Sequence, residues 1–227
     1  GIGGANGSGN GGAGGAGIGG ALSNAGSSVI GNATIAANSA SQGTGGFAGS
    51  STPSGVNGAN GAATGGGVAN TGVQQLRATN TLLSANTGGT TSNCSGTITD
   101  GGHNLEFNTN TCAFTIAFQH GNPNLDTLKS NGGPTQTMAL LSGSAAKDTA
   151  DPTACAAPPT SGKDQRGLAR RTDLCSIGAY EADVAIPNPV PPSRGPSGGG
   201  MPAPVPLPRV QPGNGGGPPA ALPPPRP

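Results

Sequence analysis

The acidic side chains that hydrolysis or metal binding would need are confined to residues 100–183. From residue 1 to residue 99 the sequence contains one charged side chain, Arg77, and the first acid is Asp100. Glycoside hydrolysis typically uses two carboxylates, and Ca²⁺ is bound through oxygen ligands that include them. We therefore predict no catalytic residue, no metal ligand and no cofactor-binding residue, and we interpret Arg77 as a solvated strand residue.

Two polar pairs in the second half could in principle carry chemistry. His103 follows Asp100 within an Asp-Gly-Gly-His turn, and no nucleophile with an adjacent base is indicated there. Asp164 and Arg166 lie two residues apart, and we interpret them as a turn with a local ion pair rather than as catalytic groups. The Gly-rich stretches lack the spacing of a Walker or dinucleotide-binding loop, so phosphate binding has no support.

The four cysteines, Cys94, Cys112, Cys155 and Cys175, predict two disulfide bonds. None belongs to a C-x-x-C pair and the chain has only two histidines, which argues against zinc sites and redox motifs. The even number of cysteines in a Gly/Asn/Thr-rich chain indicates an oxidising compartment, and their order favours pairing Cys94 with Cys112 and Cys155 with Cys175. Each bond would close a loop of about 20 residues and stabilise the fold by about 3 kcal/mol. The alternative is four reduced, buried thiols.

Glycine, proline and small polar residues dominate the composition. The chain of 227 residues has 45 Gly and 22 Pro, only 8% charged residues and a formal net charge of +1. This balance argues against nucleic-acid binding, which needs clustered Lys and Arg. No stretch approaches the roughly 18 apolar residues of a membrane span, and no signal peptide is recognisable. We therefore expect a fragment of a secreted or cell-surface protein whose export signal lies outside it.

Two stretches of the first half resemble each other and predict a repeat of short strands. Residues 19–38 (GGALSNAGSSVIGNATIAAN) and 66–86 (GGVANTGVQQLRATNTLLSAN) align with a displacement of 46 residues between Asn24 and Asn70. That length suits two coils of a solenoid with roughly 20–25 residues each. Gly and Asn bound the apolar runs, as expected of short strands between tight turns, and Asn at equivalent turns could form hydrogen-bonded ladders. For residues 1–18 and 42–66 the alternative of a flexible tract without strands stays open.

Several short motifs follow one another in the second half. They are SNCSGTITDGGHNL at 92–105, CAF at 112–114, NGGPTQTMALL at 131–141, GS at 143–144, DQRG at 164–167 and CSIGAYE at 175–181. In this order they resemble the late coils of bacterial right-handed β-helix repeat proteins, and together they look like the choice-of-anchor Q domain. The resemblance implies an exported bacterial β-helix protein. Its β-helix would end with this domain, and a linker to a surface anchor would follow.

We predict an all-β fold: a right-handed parallel β-helix fragment with a C-terminal cap and a disordered Pro-rich tail. Residues 1–18 would form a Gly-rich coil or loop, 19–118 the β-helix coils, 119–183 the cap, and 184–227 a disordered Pro/Gly-rich linker. The linker prediction rests on residues 187–227, which hold 16 of the 22 prolines and favour extended polyproline II. Large apolar residues of the cap would cover the open end of the solenoid; they are Leu125, Leu128, Met138, Leu140 and Leu141.

These features favour a non-enzymatic structural or adhesin-like protein, extracellular or on the cell surface, with glycans or other surface components as partners. The main alternative is the C-terminal part of a polysaccharide lyase or glycosidase whose active site lies upstream. A third is a disordered Gly/Asn-rich cell-wall protein. Residues 1–99 contain repeats but no acid, which argues against a polysaccharide lyase or glycosidase. The strand-like runs of residues 67–118 argue against a disordered cell-wall protein.

Deletion of residues 187–227 is expected to leave a folded, protease-resistant body, because the predicted strands and disulfides all precede this tail. Limited proteolysis followed by mass spectrometry would test this. Digestion of residues 67–183 at the same rate as the tail would contradict the predicted organisation.

Overall fold

The computed structural model describes residues 9–50, 54–89, 91–115 and 121–183. Within these ranges the chain consists of strands and turns with one helix of five residues, so the all-β class is confirmed. The chain divides into two units, Gly1–Ile186 and Pro187–Pro227. The second unit, and with it the predicted disordered linker, lies outside the described residues.

The strands are all short, because Gly and Asn interrupt each apolar run after two to four residues. Val, Ile, Leu and Thr dominate them, and β-branched side chains among these fit a pleated, half-buried surface. In chain order the elements are β1 Gly17–Ile18, β2 Leu22–Asn24, β3 Ser28–Gly31, β4 Thr34–Ala36, β5 Ala63–Thr64, β6 Val68–Asn70, β7 Leu76–Thr79, β8 Leu82–Ser84, β9 Cys94–Ser95, β10 Ile98–Asp100, β11 Leu105–Phe107 and α1 Pro152–Ala156.

Three parallel sheets, each of three strands, form the centre of the described fold. Their strand orders are β2-β6-β9, β3-β7-β10 and β4-β8-β11, and β1 pairs with β5 in a fourth, two-stranded sheet. The chain therefore visits the three sheets in the same order three times: a first pass through β2–β4, a second through β6–β8 and a third through β9–β11. Every strand pairing between passes is parallel.

The 46-residue displacement between the two similar stretches is confirmed by the strand pairing. The interpretation that the displacement spans two coils of a solenoid is wrong. Leu22 pairs with Val68 and Asn24 with Asn70, so the two similar stretches are direct neighbours in one sheet. The second and third passes are closer in sequence, since Leu76 pairs with Ile98, a displacement of 98 − 76 = 22 residues. The first displacement is longer because the chain makes an excursion between the first and second passes.

Alternation along the strands separates an inner core from the outer surface, with Arg77 exposed between the buried Leu76 and Ala78. Burying one such Leu side chain stabilises the fold by about 1.5–3 kcal/mol. The inner core is narrow, aliphatic and closed by the first disulfide and one aromatic ring. Its buried members are Val68, Leu76, Ala78, Leu83, Cys94, Ile98, Cys112 and Phe114.

The chain turns at equivalent corners through residues with positive φ. After β3, β7 and β10 this residue is Asn32 (51°), Asn80 (50°) or His103 (53°), and Ala37 (58°) and Ala85 (54°) occupy the equivalent corner after β4 and β8. Asn tolerates this left-handed conformation better than most residues. The repeated backbone geometry keeps successive passes in register.

Asparagine side chains stack along the passes, as predicted. The Nδ2 of Asn24 donates to Oδ1 of Asn70 at 2.8 Å, and the Nδ2 of Asn80 donates to Oδ1 of Asn32 at 3.1 Å. A third column begins at Asn38, whose Nδ2 donates to Asn86 at 2.9 Å. Each amide both donates and accepts, so a column satisfies polar groups that the tight corners would otherwise bury without partners.

Two segments of the excursion between the first and second passes form a bundle with the extended segment that precedes the first pass. Residues 9–17, 43–49 and 55–62, here called the glycine bundle, hydrogen-bond through their backbones at every third residue. Gly14 donates to Ala59 at 2.8 Å, Gly61 to Gly43 at 2.9 Å and Gly43 to Gly15 at 2.8 Å. Each segment thus donates to one neighbour and accepts from the other, with the first and third segments parallel and the middle one antiparallel to both.

Close backbone approach explains the glycine content of the bundle. A Cβ added to Gly11, Gly14 or Gly58 would overlap a carbonyl oxygen of a neighbouring segment. A Cβ on Gly12 or Gly15 would meet nothing within 4 Å. The requirement for glycine at every third position resembles that of the collagen axis, where only Gly fits. The sequence left open a flexible tract or short strands here, and the described residues instead form an ordered, hydrogen-bonded array.

The segment 121–183 packs along the side of the β4-β8-β11 sheet, where Leu82 and Leu105 join its core. Ala179 donates to Thr34 Oγ1 of the first pass at 3.0 Å, and Gly178 donates to the carbonyl of Asn80 at 3.0 Å. These contacts lie along the side of the sheet, so they do not support the prediction that the segment covers the open end of the solenoid.

Two of the five apolar residues assigned to that cover are largely exposed. Leu128 is 56% exposed and Leu141 is 47% exposed, whereas Leu140 is buried in the core of the segment. At the third pass, Cys112 and Phe114 enter the inner core directly after β11. The backbone N–H of Cys94 donates to Thr111 Oγ1 there, at 3.0 Å. Residues 111–114 therefore cover the third-pass end of the inner core, with few apolar side chains.

The substitution Gly14→Ala is expected to destabilise the glycine bundle by about 1–3 kcal/mol, because its Cβ must displace the backbone of Gly43. The matched control is Gly15→Ala, whose Cβ points into open space and should change stability by no more than about 0.5 kcal/mol. Thermal unfolding and amide hydrogen exchange of residues 9–17 and 55–62 would measure both. Equal effects of the two substitutions would contradict the packing described.

Candidate functional site

Both predicted disulfides are present. Cys94 is bonded to Cys112 and Cys155 to Cys175, with sequence separations of 18 and 20 residues. The first ties β9 of the third pass to the stretch that follows β11. The second joins α1 to the segment near residue 177, beside the Asn32–Asn80 column, where Asn80 Nδ2 lies 3.6 Å from the sulfur of Cys155.

A buried carboxylate, Glu106, organises the stretch that follows the third pass. Its Oε1 accepts from Thr109 Oγ1 at 2.5 Å and from the Thr111 backbone at 2.8 Å, and its Oε2 accepts from the Cys112 backbone at 3.0 Å. Asn93 Nδ2 also donates to it, at 3.2 Å. Glu106 is fully buried and receives neutral donors on both oxygens. These contacts assign it to fixing the loop beside the first disulfide rather than to proton transfer.

The sequence analysis did not single out Glu106, although a signal was present. An acid between Leu105 and Phe107 in a strand lies on the opposite face from both neighbours. Since Leu105 packs on the outer segment 121–183, Glu106 points to the other side, where only hydrogen bonds can offset its burial.

Asp100 and His103 do not form a catalytic pair. The Asp100 carboxylate accepts from the backbone of Gly102 at 2.9 Å and from Asn104 Nδ2 at 2.7 Å. The Nδ1 of His103 lies 2.7 Å from the carbonyl oxygen of Thr149 and donates to it. Both side chains therefore hold turns, and His103 also links the third pass to the segment 121–183.

Asp164 and Arg166 form the predicted ion pair, and the pair is buried. The Nη2 of Arg166 lies 2.7 Å from Oδ2 of Asp164, with side-chain exposures of 1% and 0%. The guanidinium also lies 3.7 Å from the ring centroid of Tyr180 and donates to the carbonyl of Glu181 at 2.7 Å. Full burial together with these contacts makes the pair a structural element.

A second buried ion pair, Arg170–Glu181, adjoins the first and was not anticipated. Its nitrogen and oxygen are 3.2 Å apart, and Arg170 also donates to the carbonyls of Ser176 at 3.0 Å and Gly178 at 2.6 Å. The Oε1 of Glu181 is buried without a hydrogen-bond partner, while Oε2 accepts from the Ser176 backbone at 2.9 Å. The sequence offered a signal for Glu181 alone, which ends the motif CSIGAYE at 175–181 in a chain with few charges.

Burial shifts the ionisation of this second pair in opposite directions. It raises the pKa of Glu181 above that of an ordinary glutamate and lowers the pKa of Arg170. Each charge is thus retained mainly through the other and through backbone groups. The pair stabilises the segment only while both partners are present.

Every carboxylate of the chain lies in the described ranges and has a polar partner. Those not yet mentioned pair with exposed cations or cap a turn: Asp126 with Lys129, Asp148 and Asp173 with Arg171, Asp183 with Lys147, and Asp151 with the backbone of Thr153 in α1. Among the described residues, no three His, Cys, Asp or Glu side chains form a group that could hold a metal ion. The same part of the chain contains no helix with the length and apolar character of a membrane span.

The outer surface of the passes carries two polar grooves. The first, here called the amide groove, has a volume of about 340 Å³ and lies at the corner between β6 and β7. Its lining is uncharged: Asn70, Gly72, Val73, Gln74, Gln75, Thr97 and Thr99. The second, the Arg77 groove, has a volume of about 380 Å³ and lies between the β3-β7-β10 sheet and residues 151–159.

The two grooves approach each other on β7 and β10, because Thr99 of the amide groove pairs in register with Arg77. The amides, hydroxyls, single guanidinium and single carboxylate (Asp151) of these linings can bind a ligand by hydrogen bonding.

No protein-family model matches the chain, and comparisons with curated proteins and with solved structures likewise find no match. The resemblance to the choice-of-anchor Q domain therefore stays a prediction, carried by the motifs of residues 92–183.

The substitution Arg170→Met is expected to lower the free energy of unfolding by about 3–5 kcal/mol at pH 7, since it leaves Glu181 buried without its cation. A carboxyl whose pKa is higher in the folded than in the unfolded state favours folding as it binds a proton. The contribution of Glu181 to the free energy of unfolding therefore rises as the pH falls toward 4.5, the ordinary pKa of a glutamate. The difference in free energy of unfolding between the unmodified chain and Arg170→Met should narrow over the same range.

Urea unfolding at several pH values would measure this deficit. Arg171→Met removes an Arg whose side chain is 40% exposed, and it should cost no more than about 1 kcal/mol. A deficit of Arg170→Met that is as small as this control, or that does not depend on pH, would contradict the described network.

Proposed function

We propose that the three passes are coils of a right-handed parallel β-helix, and that the chain is a non-enzymatic structural or adhesin-like protein of the cell surface or the extracellular space that binds glycans. In this proposal residues 119–183 belong to a domain of the choice-of-anchor Q type. They hold the coils together along one side.

Strand order supports the β-helix. Each of the three sheets takes one strand from each pass, in the sequence first, second, third, and all neighbours are parallel. A chain that repeats such a path advances by one strand spacing per circuit, as a solenoid does. Crossovers between parallel strands of one sheet are right-handed in about 98% of cases, which favours that hand.

The two disulfides are compatible with an extracellular location. Exported surface proteins also work without chaperone repair, so resistance to unfolding is useful to them. The first disulfide lies in the third pass, and the second disulfide and both buried ion pairs lie within the segment 121–183.

The amide groove is the observation that carries the glycan-binding proposal. Gln74 and Gln75 are exposed at its rim, beside the hydroxyls of Thr97 and Thr99. Side-chain amides and hydroxyls match the donor and acceptor pattern of sugar hydroxyls. Val73, which is fully exposed in the same lining, offers an apolar contact for the C–H face of a sugar ring.

Engagement of the carboxylates supports a binding rather than a catalytic role. A glycosidase needs one carboxyl group to donate a proton and a second to attack or to activate water, both facing the sugar. Here Glu106, Asp164 and Glu181 are buried in hydrogen-bonded networks. Neither groove contains a pair of carboxylates.

The double substitution Gln74→Ala/Gln75→Ala is expected to weaken binding of neutral oligosaccharides about 5- to 150-fold, because each of the two lost hydrogen bonds contributes about 0.5–1.5 kcal/mol. A glycan array would identify the ligand, and calorimetry with the full chain would give the affinities. Gln42→Ala removes an exposed amide outside both grooves and should leave binding unchanged. Release of shorter oligosaccharides from any bound glycan would contradict the non-enzymatic role.

A further inference from the structure

Among the described residues, no Asp or Glu side chain forms an ion pair with Arg77, the cation of the Arg77 groove. Nη1 of Arg77 donates to Thr79 Oγ1 at 3.0 Å, and Nη2 donates to the carbonyl of Gly101 at 3.3 Å. Within the described ranges no carboxylate oxygen lies within 4.0 Å of its guanidinium. These two contacts hold the group across the sheet, and other N–H donors of its five remain for a ligand.

Glycines shape the floor on which this guanidinium lies. A Cβ on Gly101 would overlap Thr79 Oγ1 and would lie 2.9 Å from Cζ of Arg77, so only glycine allows the arginine to lie flat there. A Cβ on Gly31, which pairs with Thr79 on the next strand, would meet nothing within 4 Å. The floor beside Arg77 is therefore open at Gly31.

The walls of the groove combine apolar surface with a few polar groups. Val29, which pairs in register with Arg77, is 76% exposed, and Pro158 and Pro159 line the opposite side. Asp151 is the one carboxylate in the lining, and its Oδ1 accepts from the backbone of Thr153. A ligand here would meet one positive charge at Arg77, one negative charge at Asp151, apolar patches and hydroxyl-binding groups.

We propose that the Arg77 groove binds the carboxylate of an acidic sugar, a uronate, within a glycan chain. Arginine presents paired N–H groups whose geometry matches a carboxylate. The ring of the sugar would pack on Val29 and the two prolines, and its hydroxyls would bond Thr79 and Asp151. This inference rests on the proposed glycan-binding function and adds an acidic-sugar subsite to it.

A lone arginine distinguishes this ligand from a nucleic acid. Nucleic acids are held through many phosphates and need clustered cations, whereas Arg77 is the one charged residue of the first 99. One fixed guanidinium beside apolar walls suits a single carboxylate on one sugar ring. The volume of about 380 Å³ is of the size that small-molecule sites have.

Calorimetry with the full chain tests the proposal, with an oligogalacturonate as the probe and the same oligosaccharide after chemical reduction of its carboxyl groups as the matched ligand. The unmodified chain should bind the acidic form at least 10-fold more tightly. Arg77→Gln should weaken binding of the acidic form about 10- to 100-fold and leave the reduced form unaffected. Arg77→Lys should restore part of the loss, since lysine supplies the charge without the paired geometry.

Two further variants separate the groove from general charge effects. Gly31→Leu adds a side chain to the open floor, where its Cβ meets nothing within 4 Å, and should abolish the preference for the acidic form. Arg171→Gln removes one partly exposed positive charge outside this lining and should leave binding unchanged. Thermal unfolding of each variant shows whether it is folded before its affinity is compared.

Equal affinity for the acidic and reduced forms, or unchanged binding by Arg77→Gln, would overturn the inference while leaving neutral glycan binding at the amide groove intact. A preference for a sulfated oligosaccharide over the uronate would overturn the assignment of the carboxylate. Failure of the chain to bind any neutral or acidic glycan would overturn the proposed glycan-binding function and this subsite together.

Discussion

Parallel pairing of each pass with the next is the constraint on which the rest of the structure depends. Strands of two to four residues cannot satisfy their own backbone groups, so the strands of the second pass find backbone partners on the first and third passes. The three sheets share one stacking direction. The columns Asn24–Asn70 and Asn32–Asn80 add side-chain bonds in that same direction, at corners where the backbone ladder is interrupted.

The glycine bundle obeys the same requirement with a different period. The segments of this bundle have almost no large side chains to bury, so their order comes mainly from backbone hydrogen bonds. Bonds at every third residue bring segments close enough that one glycine per triplet is obligatory. Asparagine side chains accept hydrogen bonds from other backbone N–H groups of the bundle. The N–H of Ala48 donates to Asn57 Oδ1 at 2.8 Å, and the N–H of Gly45 donates to Asn60 Oδ1 at 3.0 Å.

Charge is scarce in this chain and is used in two ways. Glu106 and the pairs Asp164–Arg166 and Arg170–Glu181 are buried, and each is surrounded by donors, acceptors or an opposite charge that offset its desolvation. Arg77, in contrast, stands on the outer surface of the passes beside glycines that leave room around it. Rigid networks in the interior thus hold a surface whose few polar groups have fixed positions, which is the condition for selective recognition.

The sequence by itself determined the local features. Short apolar runs between Gly and Asn predicted the all-β class, the similarity of two stretches predicted a repeat in which Asn24 and Asn70 are equivalent, and chain order predicted both disulfides. Only the tertiary structure decided that those stretches are direct neighbours, that the glycines form a bundle, and that residues 121–183 lie along one sheet. Local geometry follows from the preferences of neighbouring residues, whereas burial of Glu106 and closeness of distant glycines depend on contacts that no single stretch encodes.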